Sequence, residues 1–264
     1  VVCIVGQVAS HLLGTDAFQE TDVINLTVPV TKYNLQVTRA QDIPQALARA
    51  FHIATTGRPG PVLLDVTKDA QQGEFWFDGL PEVALRTYRH TPVATPASLD
   101  AAAELLNRAQ RPLIIAGQGV VLSGGHEELR ALAERTGAPV AWTLLGVDAF
   151  PTSHPLAVGM VGMHGRYGAN VLTNECDVLF AVGMRFDDRV TGDPKRYATD
   201  AEVIHLDIDR AEIGKIIPAD VGVLGDAADA LGRLLPRLGR RTHGAWRARF
   251  AAYDAVEEER VVLA

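Results

Sequence analysis

The tightest constraint on the fold is a five-residue apolar run, Val178-Leu179-Phe180-Ala181-Val182, cut off by Asp177 on one side and Gly183 on the other. A run this short with no polar position reads as a strand buried on both faces, a condition met mainly in parallel sheets covered by helices on each side. The stretch around it, Gly159 to Gly192, has the order of a βαβ unit: a glycine turn at GMHG, a helix from Arg166 to Asn174, the strand, and a polar turn. Arg185, Asp187, Asp188 and Arg189 fall within five positions of that last turn. Open parallel sheets bind ligands beyond the carboxyl ends of their strands. Two guanidinium forks there suit a diphosphate. A solvated loop would also explain RFDDR alone; GMHG just upstream turns the reading toward a cofactor site.

The same alternation runs through the segment from about Ala97 to Leu238. Ser98 is expected to cap a helix with Leu99, Ala102, Ala103, Leu105 and Leu106 on its apolar side. Pro112 to Ala116 reads as a buried strand, Glu127 to Arg135 as a helix, Pro139 to Leu145 as a strand, and Glu202 to Asp209 as a strand with a short helix around Ile213. Val221 to Leu224 and the amphipathic stretch Ala227 to Leu235 close the segment. Strands and helices at this spacing predict an α/β doubly wound parallel sheet of the Rossmann type. After the strand ending at Ala116 come Gly117, Gln118 and Gly119, which either let the backbone approach a phosphate or serve packing. The match to GxGxxG is incomplete, because Leu122 stands at the third position. Asp207 and Asp209 at a strand tip suit a ribose hydroxyl or plain solvent.

Upstream, Val1 to Val5 reads as a buried strand followed by Gln7, and Thr15 or Asp16 as the cap of a helical turn holding Phe18 and Gln19. Asp42 is the expected N-cap of a helix whose apolar face is Ile43, Leu47, Ala50, Phe51 and Ala54. Gly57 ends it, and GRPGP leads into the strand Val62 to Val66. Two prolines stiffen that turn and hold Arg58 on it, either for an anion or simply at the surface. Lys68 and Asp69 stand at the exit of the strand. Residues 71 to 96 show neither period and read as a linker.

With 47% apolar and 22% charged residues over 264 positions, the chain has an ordinary globular balance. A net charge of −7 without basic clusters argues against a nucleic-acid surface. Cys3 and Cys176 lack CxxC spacing and are expected to be buried reduced thiols of a cytoplasmic protein. No membrane-spanning run or signal peptide is visible. Asp187, Asp188, Asp207 and Asp209 lack calcium-loop spacing, His164 and His205 form no zinc pattern, and no GxSxG turn occurs, so no metal ligand is assigned. The chain opens without Met inside a strand, and it is expected to be an internal piece of a longer polypeptide.

Several stretches agree in order with one family: GQVASHLLGTDAFQE, TKYN, GRPGPVLLDVTKD, AGQGV, GMVGMHG, RFDDRVTG, HLDIDRAEIGK and GDA. By these the chain resembles the large catalytic subunits of acetolactate synthase (acetohydroxyacid synthase), thiamine-diphosphate enzymes of branched-chain amino-acid biosynthesis. The resemblance implies that residues 1–75 are the second half of a pyrimidine-binding domain, 76–96 a linker, 97–238 the complete FAD-binding domain, and 239–264 a linker toward a diphosphate-binding domain. It implies FAD contacts at Arg58, Gly117, Gln118, Gly119, Thr143, Leu144, Leu145, Val161, Gly162, Met163, His164, Gly183, Met184, Arg185, Asp187, Arg189, Val190, Asp207, Ile208, Gly225 and Asp226. Gln7, Phe18, Gln19 and Lys68 would line the substrate channel, with Met163, Asp188 and Arg189 near its mouth.

The implied cofactors are FAD, thiamine diphosphate and magnesium. The implied substrates are 2-oxo acids, pyruvate and 2-oxobutyrate, handled by a homo-oligomer, often with a small regulatory subunit. The family glutamate that serves thiamine would precede Val1, and the GDG metal motif would follow Ala264, so the chain alone is expected to be inactive. A pyruvate oxidase or glyoxylate carboligase type of enzyme, or a non-catalytic nucleotide-binding module, would share the generic parts. The chain departs from the family at Ala9 and Thr67, where prolines are usual, and the loss at Thr67 is expected to loosen the loop.

Overall fold

The computed structural model describes residues 1–88 and 91–262. Arg89 and His90, within the expected 76–96 linker, and the last two residues of the expected 239–264 linker lie outside the described residues. The chain divides into two compact units, Val1–His90 and Thr91–Ala264.

The first unit holds strands β1 (Val2–Gln7), β2 (Tyr33–Val37) and β3 (Val62–Thr67), all parallel, in the order β1-β3-β2. β3 is buried along its whole length because both neighbours and a helix cover it. β1 is an edge strand, and its residues are largely exposed, including Cys3; the expectation of a buried strand and a buried thiol fails for this reason. β2, whose Tyr33, Leu35 and Val37 alternate with polar residues, is the strand that periodicity over so few residues did not single out.

Helix α1 (Val23–Thr27) is capped by Asp22, which accepts from the Asn25 N–H. Helix α2 (Ile43–Thr55) packs Ala46, Ala50, Ile53 and Ala54 against the sheet. Two expectations about α2 are corrected. Asp42 makes no capping bond, because its carboxylate pairs with Arg39 at 2.8 Å. Phe51 is 58% exposed, because the three-stranded sheet covers a narrower stripe than the apolar face offers. α3 (Lys68–Gln72) follows β3 directly. The segment Thr15 to Gln19 forms turns, not a helix: Asp16 and Gln19 sit at φ +56° and +66°, where a helix cannot propagate.

The second unit is built on β4 (Pro112–Ala116), β5 (Val140–Trp142), β6 (Ala157–Met160), β7 (Val178–Val182), β8 (Glu202–Asp207) and β9 (Val221–Leu224). They are parallel and ordered β6-β5-β4-β7-β8-β9. The chain runs outward from β4 to one edge, then returns to start again at β7. This is the doubly wound dinucleotide-fold order, with the direction of winding reversed between β4 and β7.

The period of two sorts the strand residues into two cores. Ile114, Phe180 and Ile204 face α4 (Pro96–Arg108), α6 (His126–Thr136) and α9 (Ala227–Leu234). Leu113, Ile115, Leu179 and Val203 face α7 (Tyr167–Thr173) and α10 (Gly244–Glu257). Asp177 aligns the amino ends of the central pair, its carboxylate accepting at 2.8 Å from the N–H groups of both Gln110 and Arg111. Cys176 beside it is a buried thiol, pushed up to about 12 by burial and then by the Asp177 charge.

Other boundaries differ from expectation. Thr95 caps α4, accepting from the Ser98 N–H, with Pro96 at the first helical position, so Ser98 lies inside the helix. The expected strand to Leu145 stops at Trp142, and Leu144–Gly146 form a 3-10 turn. The chain around Ile213 turns without forming a helix. α5 (Gln118–Ser123) is a short helix directly after Gly117, and α8 (Asp188–Thr191) a short helix within the expected polar turn. Much of the expected 239–264 linker is α10, which buries Trp246 and Phe250 against the second core, and the Trp246 indole N–H donates to the Pro112 carbonyl at 2.9 Å. Two such aromatic side chains stabilise the docking by about 1.5–3 kcal/mol each.

Candidate functional site

At the carboxyl edge of the second sheet, four loops from distant parts of the chain interlock through backbone alone. Gly117, after β4, donates to Val182 O at 2.8 Å, and Gly119 donates to Gly183 O at 3.0 Å, after β7. A Cβ on Gly117 would stand 2.2 Å from Gly183 O, and one on Gly183, itself at φ +60°, would stand 2.5 Å from the Gly119 Cα. The glycines at the winding reversal therefore serve loop-on-loop packing, one of the two uses their sequence allowed. The turn after β5 joins them: Thr143 donates to Ala116 O at 3.0 Å, and a Cβ on Gly146 would meet Ala116 O at 2.3 Å.

The GMHG turn after β6 is bound in the same way. Val161 N–H donates to Trp142 O at 2.9 Å and Met163 N–H to Arg189 O at 2.8 Å. Gly162 adopts φ +103°, and an added Cβ would lie 2.7 Å from Arg189 O. Asn170, on α7, clamps Gly162 from behind, accepting from its N–H at 2.8 Å and donating to its carbonyl at 2.9 Å. Nothing in the local sequence marked Asn170 beyond its place in a helix.

Met184 O, between β7 and the RFDDR turn, accepts at 2.8 Å from Nε2 of His205, and Nδ1 of His205 accepts from Gly214 N–H at 3.3 Å. The ring is fully buried and edge-on to Phe186 at 5.0 Å, and burial holds its pKa below the ordinary 6.5. His205 is thus a neutral imidazole that fixes the loop carrying Arg185. Gly225 N–H donates to Asp207 O at 3.0 Å, bringing the turn after β9 to the tip of β8.

Within this frame the expected contact residues divide. Val161 and Met184 are buried in the core, so their side chains serve packing and only their backbone faces the loops. Asp187 caps α8, accepting from Arg189 N–H at 3.0 Å, and Asp226 caps α9, accepting from Asp229 N–H at 3.2 Å. Asp207 accepts from Asp209 N–H at 2.8 Å. Thr143, Val190 and Ile208 are half-buried. Gln118, Leu144, Leu145, Met163, His164, Arg185 and Arg189 remain on the surface of this edge. Arg185 Nε lies 3.2 Å from Asp187 and Arg189 Nε 3.9 Å from Asp188; both guanidinium groups are largely exposed. Exposed Arg185 and Arg189, with exposed Leu144, Leu145 and Met163 in the turns after β5 and β6, offer guanidinium donors and apolar surface at the strand ends where doubly wound sheets take ligands.

The first unit places its expected residues at the ends of β1 and β3. Gln7 is turned inward and 8% exposed, its amide donating to Thr21 O at 2.7 Å and to Asp65 Oδ2 at 3.3 Å while its Oε1 accepts from Val8 N–H. These bonds direct its side chain into the unit. Phe18 is 89% exposed and Lys68 opens α3 on the surface. The turn carrying Phe18 and Gln19 is held by the Glu20 carboxylate, which accepts from the N–H groups of Gly14, Thr15 and Ala17; these bonds, Gly14 first, lower its pKa.

Thr67 is buried, its single hydroxyl proton shared between Val37 O at 3.4 Å and the Asp69 carboxylate. Asp69 also accepts from Ser10 N–H and Oγ, and these bonds hold its carboxyl well below the usual range. Arg58 is exposed in the turn after α2. Lys32, from TKYN, closes that helix, its ammonium donating to Ile53 O at 2.7 Å and Thr56 O at 2.5 Å. Among the described residues no group of three or more His, Cys, Asp or Glu is arranged to hold a metal ion.

Residues 99–234 match the family model of the thiamine pyrophosphate enzyme central domain, and the chain belongs to that family. More particularly, it is similar to acetolactate synthase large subunits. It is 53% identical over 236 residues to that of Corynebacterium glutamicum, covering 89% of this chain and 37% of the relative. It is 49% identical over 241 residues to the probable acetolactate synthase large subunit of Methanocaldococcus jannaschii, covering 90% and 41%. The acetolactate synthase of Mycobacterium leprae is 47% identical over 238 residues, covering 90% and 38%. The chain spans about two fifths of the length of the curated relatives it matches.

Proposed function

We propose that this chain supplies the flavin-binding central domain, with part of a pyrimidine-binding domain before it, of an acetolactate synthase large subunit. The whole protein would decarboxylate pyruvate and join the two-carbon unit to a second 2-oxo acid, pyruvate or 2-oxobutyrate. The observation that carries the reading is the carboxyl edge of the second sheet. There the glycine-clasped turns after β4, β6 and β7 form a rigid floor beneath Arg185 and Arg189, at the reversal point where this fold takes dinucleotides. Relatives near half identity over most of the chain support the same assignment.

In this reading Arg185 and Arg189 bind the FAD diphosphate, Asp187 orients Arg185, and Leu144, Leu145 and Met163 cover apolar parts of the cofactor. Thiamine diphosphate, when bound, supplies the carbanion chemistry, while protein groups supply orientation and exclude water. The Phe18–Gln19 turn and Lys68 belong to the wall of the 2-oxo acid channel. Assembly as a homo-oligomer, with a small regulatory subunit, follows from the same assignment.

Titration of the chain with FAD, read by quenching of flavin fluorescence and by calorimetry, tests the cofactor. Saturable binding that weakens at least tenfold in Arg185→Ala and Arg189→Ala is expected. Folded protein that leaves flavin emission and heat unchanged would overturn it. For the whole protein, acetolactate from pyruvate is the expected product; acetyl phosphate with peroxide in its place would assign it to an oxidase.

A further inference from the structure

The middle strand of the first sheet carries one residue out of character. Asp65 is fully buried on β3, between Val5 of β1 and Gln36 of β2, in a run otherwise made of Val, Leu and Thr. A carboxylate in such a place is costly unless hydrogen bonds compensate it. Here the compensation is lopsided. Oδ2 accepts from Gln36 Nε2 at 2.9 Å and from Gln7 Nε2 at 3.3 Å, whereas Oδ1 is buried without a hydrogen-bond partner. Core packing alone would favour an aliphatic residue at this position, so the reason for the acid lies in what Oδ2 holds.

What it holds leads to the surface. Gln7 bridges Asp65 and the Thr21 carbonyl with a single amide nitrogen, and its oxygen is occupied by Val8 N–H. Thr21 follows directly on Glu20, whose carboxylate gathers the amides of Gly14, Thr15 and Ala17 into the turn. That turn keeps Asp16 and Gln19 at positive φ and presents Phe18 to solvent. Such backbone is strained and persists only where its surroundings over-determine it.

We infer that Asp65 is a positioning residue: a buried acceptor that sets the Gln7 amide and, through Thr21, holds the strained Phe18–Gln19 turn in place. The geometry requires an acceptor oxygen at this point and makes no use of the second one. Asparagine should therefore substitute for aspartate, its amide group taking the side that has no partner. The catalytic consequence rests on the proposed reading of Phe18 and Gln19 as channel wall; the positioning role does not.

The test is hydrogen–deuterium exchange of this chain, comparing peptides over 10–22 with those over 43–55 and 62–67. In Asp65→Val the amides of 10–22 are expected to exchange about tenfold faster, because the Gln7 amide loses its buried acceptor. Peptides over 43–55 and 62–67 should keep wild-type rates. Gln7→Met, on the edge strand, should reproduce the pattern with Asp65 in place, and Asp65→Asn should restore wild-type exchange within about threefold. Equal acceleration over all three regions in Asp65→Val, wild-type protection of the turn in Gln7→Met, or failure of Asp65→Asn to restore it would each overturn the inference. In the whole protein, Asp65→Val should raise the KM for the 2-oxo acid and Asp65→Asn should not. A loosened turn with unchanged kinetics would leave the positioning role standing and remove the channel reading.

Discussion

The clasp between the Gly117–Gly119 and Gly183 turns makes a quantitative prediction, because three alanine substitutions separate its two costs. Gly192 sits at φ +60° with nothing within 4 Å of an added Cβ. Gly192→Ala therefore incurs only the backbone cost of a side chain at φ +60° and ψ −120°, about 1–3 kcal/mol. The stiffer unfolded chain returns about 0.4–1 kcal/mol of that. Gly117 has φ −104°, which any residue adopts, but its Cβ would stand 2.2 Å from Gly183 O and 2.7 Å from the Met184 Cβ. Since backbone blocks it, Gly117→Ala must push two turns apart, a cost of about 1–3 kcal/mol. Gly183→Ala combines both effects, being at φ +60° and 2.5 Å from the Gly119 Cα, and should lose about 2–4 kcal/mol.

Urea unfolding followed by tryptophan emission reads this unit selectively. Trp142 and Trp246 are buried in it, while Trp76, in the other unit, is already exposed. With a slope of about 1–3 kcal/mol per molar urea, the Gly183→Ala midpoint should fall by about 1 M or more and that of Gly192→Ala by less. FAD affinity should follow the same order. If Gly117→Ala unfolds at the wild-type midpoint, the turns are not in contact and the account of the cofactor floor fails with them.

Three further outcomes are expected. Below about pH 6.5 the second unit should lose stability: the unfolded His205 takes up a proton near its ordinary 6.5, while the buried ring, with its pKa lowered, resists it. Urea midpoints at pH 7.5 and 5.5 measure the loss, and His205→Gln should abolish that part of the pH dependence. Asn170→Ala leaves the Gly162 N–H and carbonyl without their clamp and should cost about 1–3 kcal/mol together with flavin affinity, read by the same unfolding and titration. Ala9 already has φ −60°, the value proline imposes, so Ala9→Pro should stabilise the first unit by about 0.4–1 kcal/mol, visible as a raised calorimetric midpoint.

Local sequence decided which segments of the second unit became its elements. Pro112–Ala116 and Val178–Val182 are apolar runs whose identity as strands needs no partner to be read. The apolar spacing of α4, α6 and α9 marks helices for the same reason: periods of two and 3.6 repeat within a few residues. The exposed arginines of RFDDR and the glycines after β4 were likewise legible as candidates.

Only the tertiary structure decided the order of the strands, and with it the role of each candidate. β1 carries the same apolar composition as β3 but is an edge, so one is exposed and the other buried. Gly117 and Gly183 meet because β4 and β7 pair, Asn170 matters because α7 lies behind Gly162, and Gln7 turns inward because Asp65 stands beside it on β3. Each of these is a hydrogen bond or a close approach between residues of different elements. A periodic pattern fixes a residue's own conformation and the face it lies on, but which backbone atom waits opposite it is set by the packing of the whole sheet.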